Sequence, residues 1–376
     1  MKKKLTTWES TCIITGYGIG GGVMAIPYLM ERNGLVVSLV ILALAFAASF
    51  ALHWMIAKVA LAEGGKLQII GLLSKYLFRG KLKNALSISF FVLMGLVMIT
   101  NLAAYISGAA EVLTAWLPLP MIVAELLFYL VAAVVVFFGL KIVGVCEKVA
   151  MIVIFATVGV LAAASLFAPA NVLPMLPGTV TDALAYFGMA MFALSAFFSV
   201  PQAVAGLECD EKKIKTAVFW GLMNNVILIV IIGVCALLAS ADVTEVAMIG
   251  WSEGIGAWAE MVGGVFTVLA MLTTYWSISL ALKDIVSDQL KLNDKVCWLI
   301  ATVPSLILAL AGLSGFMGFM RIAGGVIGVI VAIMIVPTYY RAQKEIISAN
   351  KAKYLTLCAA VMLAYVLMAV GSVVTV

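Results

Sequence analysis

The chain alternates between long apolar runs and short polar connections. A membrane-spanning helix needs about 20 mainly apolar residues. Eleven runs meet this requirement, at approximately 8–31, 35–62, 85–116, 120–140, 148–168, 182–206, 215–239, 257–283, 296–312, 318–337 and 354–374. The longest connection, 63–84, is too short for a separate soluble domain. The pattern therefore predicts a single all-α integral membrane domain over 1–376, with about eleven transmembrane helices.

The composition agrees with this pattern and narrows the class of protein. Hydrophobic residues make up 65% of the chain and charged residues 11%, whereas a soluble protein has roughly 45–50% and about 25%. A chain this apolar would precipitate in water, so soluble enzymes and nucleic-acid binders are excluded. The six cysteines have neither C-x-x-C nor metal-binding spacing, so we expect no disulfide framework and no cofactor.

The positive charges fall on one side of the predicted membrane. With the N-terminus inside, all of the 23 Lys and Arg residues except Arg32 and Arg321 lie in cytoplasmic segments. The positive-inside rule predicts this asymmetry. The net charge of +5 is therefore explained by topology in a plasma or inner cell membrane, with the N-terminus cytoplasmic and the C-terminus outside, and it does not indicate a nucleic-acid partner.

Two of the runs should not form continuous helices. The first contains five glycines between Gly16 and Gly22, followed by Pro27, and the sixth contains Pro201 in its second half. Each interior glycine costs up to about 1 kcal/mol relative to alanine, and proline removes a hydrogen-bond donor. Freed backbone groups are tolerated inside a membrane only beside a cavity or a ligand. The breaks therefore predict a binding site, with close helix packing through glycines as the alternative for the first run.

The positions of the two breaks suggest an internal repeat. The first broken run opens the five runs of 8–168, and the second opens the five runs of 182–337. Because five is odd, the second set must lie inverted relative to the first, and 354–374 is an extra span. Broken segments at matching places in two halves are the best sequence indication of a transporter binding site. The sequence thus predicts a 5+5 inverted repeat with an added C-terminal helix.

Several short motifs give the chain a resemblance to known permeases. The segment GGGVMAIPY at Gly20–Tyr28, followed by Asn33-Gly34, resembles the signature that opens the hydroxy/aromatic amino acid (tryptophan/tyrosine) permease and amino acid/auxin permease families. Shorter similarities are Tyr105-Ile106-Ser107-Gly108, Phe198-Ser199-Val200-Pro201, and Thr273-Thr274 with Ser279-Leu280 and Asp288. The resemblance implies the amino acid–polyamine–organocation superfamily, a LeuT-like fold and an amino acid substrate.

A zwitterionic amino acid in the membrane needs partners for both of its charges. Backbone N–H groups at Gly20, Gly21 and Gly22 suit the carboxylate, because they begin a half-helix and glycine allows close approach. Carbonyls near Tyr17 and near Phe192–Ala193 suit the ammonium group. Candidates for the side-chain pocket, each of which could instead be an ordinary core residue, are Tyr105, Ser107, Phe192, Ser195, Phe198 and Tyr275. The aromatic rings predict a neutral substrate with an aromatic or large apolar side chain.

Sodium is the favoured coupling ion. Ala270, Thr273 and Thr274 place a carbonyl and two hydroxyls on one helix face, and hard oxygen ligands suit such a cation. Sodium-coupled members of the fold pair this face with two carbonyls of the first break, which the resemblance assigns to Gly16 and Ile19. The alternative for the threonines is a hydrogen bond to their own helix.

Proton coupling is the other alternative, and the likeness to tryptophan permeases favours it. It requires a titratable group near the membrane midplane. The acids Glu9, Glu111, Glu125 and Glu260 lie within a turn or two of span ends, and His53, the only histidine, is expected to be packed and hydrogen-bonded. The sequence therefore favours sodium and leaves the proton open.

The sequence as a whole predicts a cation-coupled symporter of neutral amino acids that works by alternating access in a lipid bilayer. The alternatives are a proton-coupled serine/threonine-type or other amino acid permease, and a channel or substrate sensor on the same fold. A membrane-embedded enzyme is not expected, since H-E-x-x-H, paired aspartates and G-x-S-x-G are all absent from the sequence. The oligomeric state is left open.

Overall fold

The computed structural model describes residues 4–168, 171–240, 242–243, 247–312, 316–343 and 351–373. The regular structure in these ranges is entirely helical. The helices are α1 Thr7–Gly18, α2 Gly21–Asn33, α3 Leu35–Ala62, α4 Ile69–Tyr76, α5 Lys83–Trp116, α6 Met121–Phe137, α7 Leu140–Ser165, α8 Val180–Ala193, α9 Ser199–Gly206, α10 Glu211–Ala239, α11 Ala247–Ile255, α12 Ala257–Leu290, α13 Asp294–Leu310, α14 Phe316–Ala342 and α15 Lys351–Val373. Among the described residues, six helices are individually long and apolar enough to cross a membrane, and α1 with α2 passes the same test as a bent pair.

The helix boundaries differ from the apolar runs in three informative places. The connection 63–84 contains the short helix α4, and the loop 240–256 contains α11. Helix α7 begins at Leu140, whereas its apolar run begins near 148, because the charged residues Lys141 and Glu147 interrupt the apolar residues of its first two turns. One of them, Lys141, forms an ion pair of 2.6 Å with Glu9 of α1. Hydropathy alone therefore places the start of α7 too late and leaves its buried polar residues outside the predicted span.

Helix α12 lies at the centre of the bundle. In its most apolar window, 83% of the residues are buried, compared with 28% for α3. Helix α1 packs against α7, α10 and α12, and α2 packs against α8. The outer helices expose large apolar side chains, such as Val40 and Leu44 of α3 and Ile88 and Leu96 of α5. An exposed surface this apolar suits contact with lipid, so α12 and the interrupted helices lie inside, and α3 and α5 each present a face to the lipid.

The first apolar run is interrupted where its glycines are densest. Helix α1 starts with a capping box between Thr6 and Glu9 and ends at Gly18. Helix α2 starts at Gly21, with Gly20 as its N-cap, and the two helices are bent by 61° relative to each other. Since glycine weakens a helix and the N-cap supplies no side-chain hydrogen bond, the sequence itself places the bend here. The predicted break in span 1 agrees with this geometry.

The sixth run is interrupted between α8 and α9, and α3 stabilises that interruption. The Ser49 hydroxyl donates to the Leu194 carbonyl at 2.7 Å, and Nε2 of His53 accepts from the Ala196 N–H at 2.9 Å. Nδ1 of His53 lies 2.7 Å from the Ser49 carbonyl and therefore acts as the donor on that side. Both backbone groups freed at the break thus have partners within the protein, and His53 is the packed, hydrogen-bonded histidine that the sequence suggested.

His53→Leu is expected to destabilise the protein. Leucine retains apolar contact with Phe197 but leaves the buried Ala196 N–H without its acceptor, at a cost of about 1–3 kcal/mol. Thermal unfolding of the purified protein in detergent should show a lower midpoint than for Thr100→Val, because the Thr100 hydroxyl bonds only within its own helix. Equal midpoints for both variants would mean that His53 does not support the break.

Candidate functional site

A cavity of about 30 Å³ lies between the two interrupted segments. A cavity needs roughly 10–15 Å³ to hold one water molecule, so this space holds only water-sized groups, and an amino acid would require the surrounding helices to move apart. The residues that line the cavity come from both breaks, from α5 and from α12, and they are Tyr17, Gly18, Gly20, Gly22, Asn101, Tyr105, Phe192, Ser195 and Ile278. This described lining combines aromatic rings with uncharged polar groups and contains no charged side chain. The cavity is therefore suited to a ligand whose net charge is zero.

The glycine-rich side of the cavity brings backbone very close to other helices. A Cβ atom on Gly20 would lie 2.5 Å from the Tyr105 hydroxyl and 3.1 Å from Oγ1 of Thr274. A Cβ atom on Gly22 would lie 2.9 Å from the Phe192 ring and 3.0 Å from Cα of Ala193. The first N–H groups of α2 have no acceptor within their own helix. Small residues at this point therefore leave the positive end of a helix dipole accessible to an anionic group.

The structure brings together most of the residues predicted for substrate binding. Tyr17, Gly20, Gly22, Tyr105, Phe192 and Ser195 line the cavity, and Gly21 is the first residue of α2. Ala193 packs on Gly22, and the ring of Phe198 lies 6.4 Å from that of Tyr17, centroid to centroid.

Two of the predicted residues lie elsewhere. Ser107 is buried on α5 and hydrogen-bonds with Glu125 of α6, outside the cavity lining. The Tyr275 hydroxyl lies 3.3 Å from Oγ of Ser305 on α13, and its ring packs against Phe128. Both side chains therefore face neighbouring helices, and neither contributes to the cavity in this structure.

Two amides beside the cavity were not selected from the sequence. Asn101 lines the cavity one helical turn before Tyr105, and its buried Oδ1 has no partner among the described residues. Asn225 of α10 is fully buried against Gly18, and neither its Oδ1 nor its Nδ2 has a described partner. Buried amides usually have hydrogen-bond partners. The i, i+4 spacing from Tyr105 was the available signal for Asn101, whereas no local pattern marked Asn225.

The candidate cation face lies against the first break. The Thr274 hydroxyl lies 2.8 Å from the Gly16 carbonyl and 2.9 Å from the Ala270 carbonyl, and the Thr273 hydroxyl lies 3.0 Å from that of Ala270. Ile19 is fully buried at the C-cap of α1. Both threonines therefore bond within their own helix, as the alternative expected, and Thr274 also reaches across to α1.

A buried acid lies outside the apolar runs that the sequence marks. Glu147 lies inside α7, is 0% exposed, and hydrogen-bonds with Ser277 of α12. Its position between Lys141 and Lys148 is typical of the charged inner end of a span, and the apolar run was therefore started after it. The helix actually begins earlier, so the carboxyl group lies among α1, α7 and α12.

Two interrupted helices that meet at a small uncharged cavity inside a bundle of apolar helices are the arrangement of a secondary transporter. The chain belongs to the tryptophan/tyrosine permease family, whose model matches residues 3–376. This membership agrees with the resemblance read from the motifs. A search of curated proteins gives no match.

The fold is similar to that of a solved transporter. The structure of MHP1, a nucleobase-cation-symport-1 family transporter in a closed conformation with bromovinylhydantoin bound, aligns with a TM-score of 0.68 at 14% identity. The alignment covers 99% of this chain and 92% of that chain. At this identity the likeness concerns the fold, which is LeuT-like. With the family, it makes the chain a multi-pass membrane transporter of small molecules rather than an enzyme.

Proposed function

We propose that the chain is a cation-coupled symporter of neutral amino acids with aromatic or large apolar side chains. The cavity between the two breaks carries this proposal. It combines a helix N-terminus at Gly20–Gly22, the rings of Tyr17, Tyr105 and Phe192, and no charged side chain among its lining residues. A zwitterion has no net charge, so it can occupy such a site without bringing an uncompensated charge into the membrane. The family also favours an aromatic substrate.

Each part of the substrate has a matching group. The carboxylate would accept hydrogen bonds from the N–H groups at the start of α2, where the helix dipole favours negative charge. The ammonium group would bind carbonyls near Tyr17 and near Phe192–Ala193. The side chain would lie between Tyr105 and Phe192, and Oδ1 of Asn101 could accept a hydrogen bond from a polar tip. A basic side chain would find no carboxylate in this lining and is therefore disfavoured.

The proposed coupling ion is sodium, bound by oxygen atoms of Gly16, Ile19, Ala270, Thr273 and Thr274. The close approach of the Thr274 hydroxyl to the Gly16 carbonyl supports this site, because it places oxygens of α12 and α1 within reach of one ion. A proton is the alternative coupling ion.

Transport would proceed by alternating access around the fixed site. In this scheme 8–168 and 182–337 form the two inverted repeats, and the N-terminus lies in the cytoplasm of a cell membrane. A second cavity of about 440 Å³ lies at the C-terminal end of α12, with Lys66, Gln202, Asp288 and Lys291 in its lining. Both lysines belong to the side that the positive-inside rule assigns to the cytoplasm. This cavity is therefore the proposed inner mouth of the transport path.

Uptake into proteoliposomes tests the proposal directly. Radiolabelled neutral, aromatic, basic and acidic amino acids are offered under an inward sodium gradient at equal pH, and separately under an inward proton gradient without sodium. We expect tryptophan or tyrosine to accumulate and lysine and glutamate to be excluded, because the lining has no charged partner. Counterflow of unlabelled against labelled substrate should occur, since a carrier exchanges its substrate and a channel does not.

The panel separates the alternatives. Accumulation of serine and threonine in preference to aromatic amino acids would mean that the protein is a serine/threonine-type permease and not a transporter of aromatic substrates. Flux without counterflow would indicate a channel, and binding without flux would indicate a sensor. Absence of binding, exchange and uptake for every amino acid would overturn the proposal.

A further inference from the structure

Glu147 is the most unusual buried charge in the described part of the chain. It lies eight residues into α7 and is fully buried. Its Oε1 accepts a hydrogen bond from the Ser277 hydroxyl at 2.6 Å, whereas its Oε2 has no partner among the described residues. The described ion pairs do not include Glu147. A buried carboxylate normally has a paired charge or a metal ion, so this group lacks the partner that its burial requires.

The carboxyl group is directed towards the first break. Its Oε2 occupies the space into which a Cβ atom on Gly16 would project, so any larger residue there would displace the carboxyl group. The Ser277 hydroxyl, which donates to Oε1 of Glu147, also lies 3.2 Å from the Ile13 carbonyl oxygen of α1. Glu147 thus contacts α1 and α12 at the same level of the membrane.

Two hydroxyl groups of α12 contact carbonyl oxygens of α1. Ser277 faces the Ile13 carbonyl, and one helical turn away Thr274 faces the Gly16 carbonyl. Each hydroxyl has one hydrogen but two acceptors within hydrogen-bonding distance. One acceptor of each pair therefore receives no hydrogen from that hydroxyl and is available to a cation. Carbonyl, hydroxyl and carboxylate oxygens are the ligands that hard cations prefer.

We propose that the carboxylate of Glu147 is the charged ligand of the coupling-cation site where α1, α7 and α12 meet. The neutral oxygens of Gly16 and Thr274 orient the ion, and Glu147 balances its charge. A loaded site is then electrically neutral, which allows it to remain buried while the helices move. The site recognises a single positive charge, which sodium and a proton share, and separate gradients distinguish these two sources.

The inference rests on the proposed function and adds to it the residue that links the ion to transport. Its test is Glu147→Gln, which keeps the size of the side chain and removes its charge. Glu260→Gln is the matched control, because it makes the same change at an exposed position on α12. Both variants and the wild type are assayed for accumulation under the sodium and the proton gradient, and for counterflow without any gradient.

The expected result is selective. In the gradient that drives the wild type, Glu147→Gln should lose accumulation by about tenfold or more, the scale of coupling between two binding sites, while counterflow persists. Glu260→Gln should behave like the wild type. Accumulation by Glu147→Gln at the wild-type level would overturn the inference. So would wild-type exchange without accumulation in either gradient, whereas absence of wild-type exchange would instead overturn the proposed function.

If Glu147→Gln is inactive in both assays, Ser277→Ala provides a second test of the same site. The variant retains the carboxylate but removes the hydroxyl that holds its Oε1. We expect intact counterflow with a higher cation concentration required for half-maximal accumulation. An unchanged cation requirement, or loss of counterflow as well, would assign a purely structural role to this cluster and overturn the inference.

Discussion

Gly20→Leu is expected to abolish substrate binding and exchange, with little loss of membrane insertion. The added side chain would start 2.5 Å from the Tyr105 hydroxyl and would extend into the cavity, where it would cover the first N–H groups of α2. Gly22→Leu should have the same effect, because its side chain would displace the Phe192 ring from the cavity wall. Binding of labelled tryptophan to purified protein and counterflow in proteoliposomes measure the loss, and gel filtration reports whether each variant is folded.

Gly159→Leu is the matched control for these variants. It makes the same change within a membrane helix, but nothing lies within 4 Å of a Cβ atom at that position. Binding and exchange should therefore remain at the wild-type level. Transport by both Gly20→Leu and Gly22→Leu would contradict the assignment of the substrate carboxylate to the start of α2.

Replacing Thr273 and Thr274 together with alanine is expected to weaken the cation dependence of transport selectively. The double variant removes two hydroxyl ligands of the proposed sodium site and the contact from α12 to the Gly16 carbonyl. Losing two oxygen ligands weakens the binding of the ion, and each loss of about 1.4 kcal/mol is a factor of ten in affinity. The sodium concentration for half-maximal accumulation should therefore rise by about tenfold or more, with counterflow largely retained.

Thr267→Ala controls for the general effect of losing a threonine from α12. Its hydroxyl is buried and bonds only the Gly263 carbonyl of the same helix, at 2.9 Å. Its sodium dependence should match that of the wild type. If the double variant also kept wild-type sodium dependence, the proposed cation site would be wrong.

The first interruption could be predicted because its cause is local. The glycines between Gly16 and Gly22 weaken α1 where it ends, and a glycine without a side-chain cap starts α2. These effects depend on residues adjacent in sequence, which a single chain reveals directly. The same reasoning located the cavity, since freed backbone inside a membrane must meet a ligand or another polar group.

The partners across helices could not be predicted in the same way. Glu147 and Ser277 are separated by 130 positions, and His53 and Ala196 by 143. Nothing in a hydropathy pattern states which helices become neighbours or which of their faces meet. Tyr275 illustrates the consequence, because it has the residue type expected of an aromatic pocket but faces α13. The residue type therefore identified a residue of the cavity only where a break in the backbone had already indicated that the residue lies beside it.

The support of the second interruption by α3 makes the two interruptions energetically unequal. Ser49 and His53 provide hydrogen-bond partners for the backbone at Leu194 and Ala196 from within the protein. The backbone N–H groups at the start of α2 have no such side-chain cap, so water or a substrate is left to accept hydrogen bonds from them. In the proposed transport cycle, we therefore expect substrate binding to gain more free energy at the first interruption than at the second.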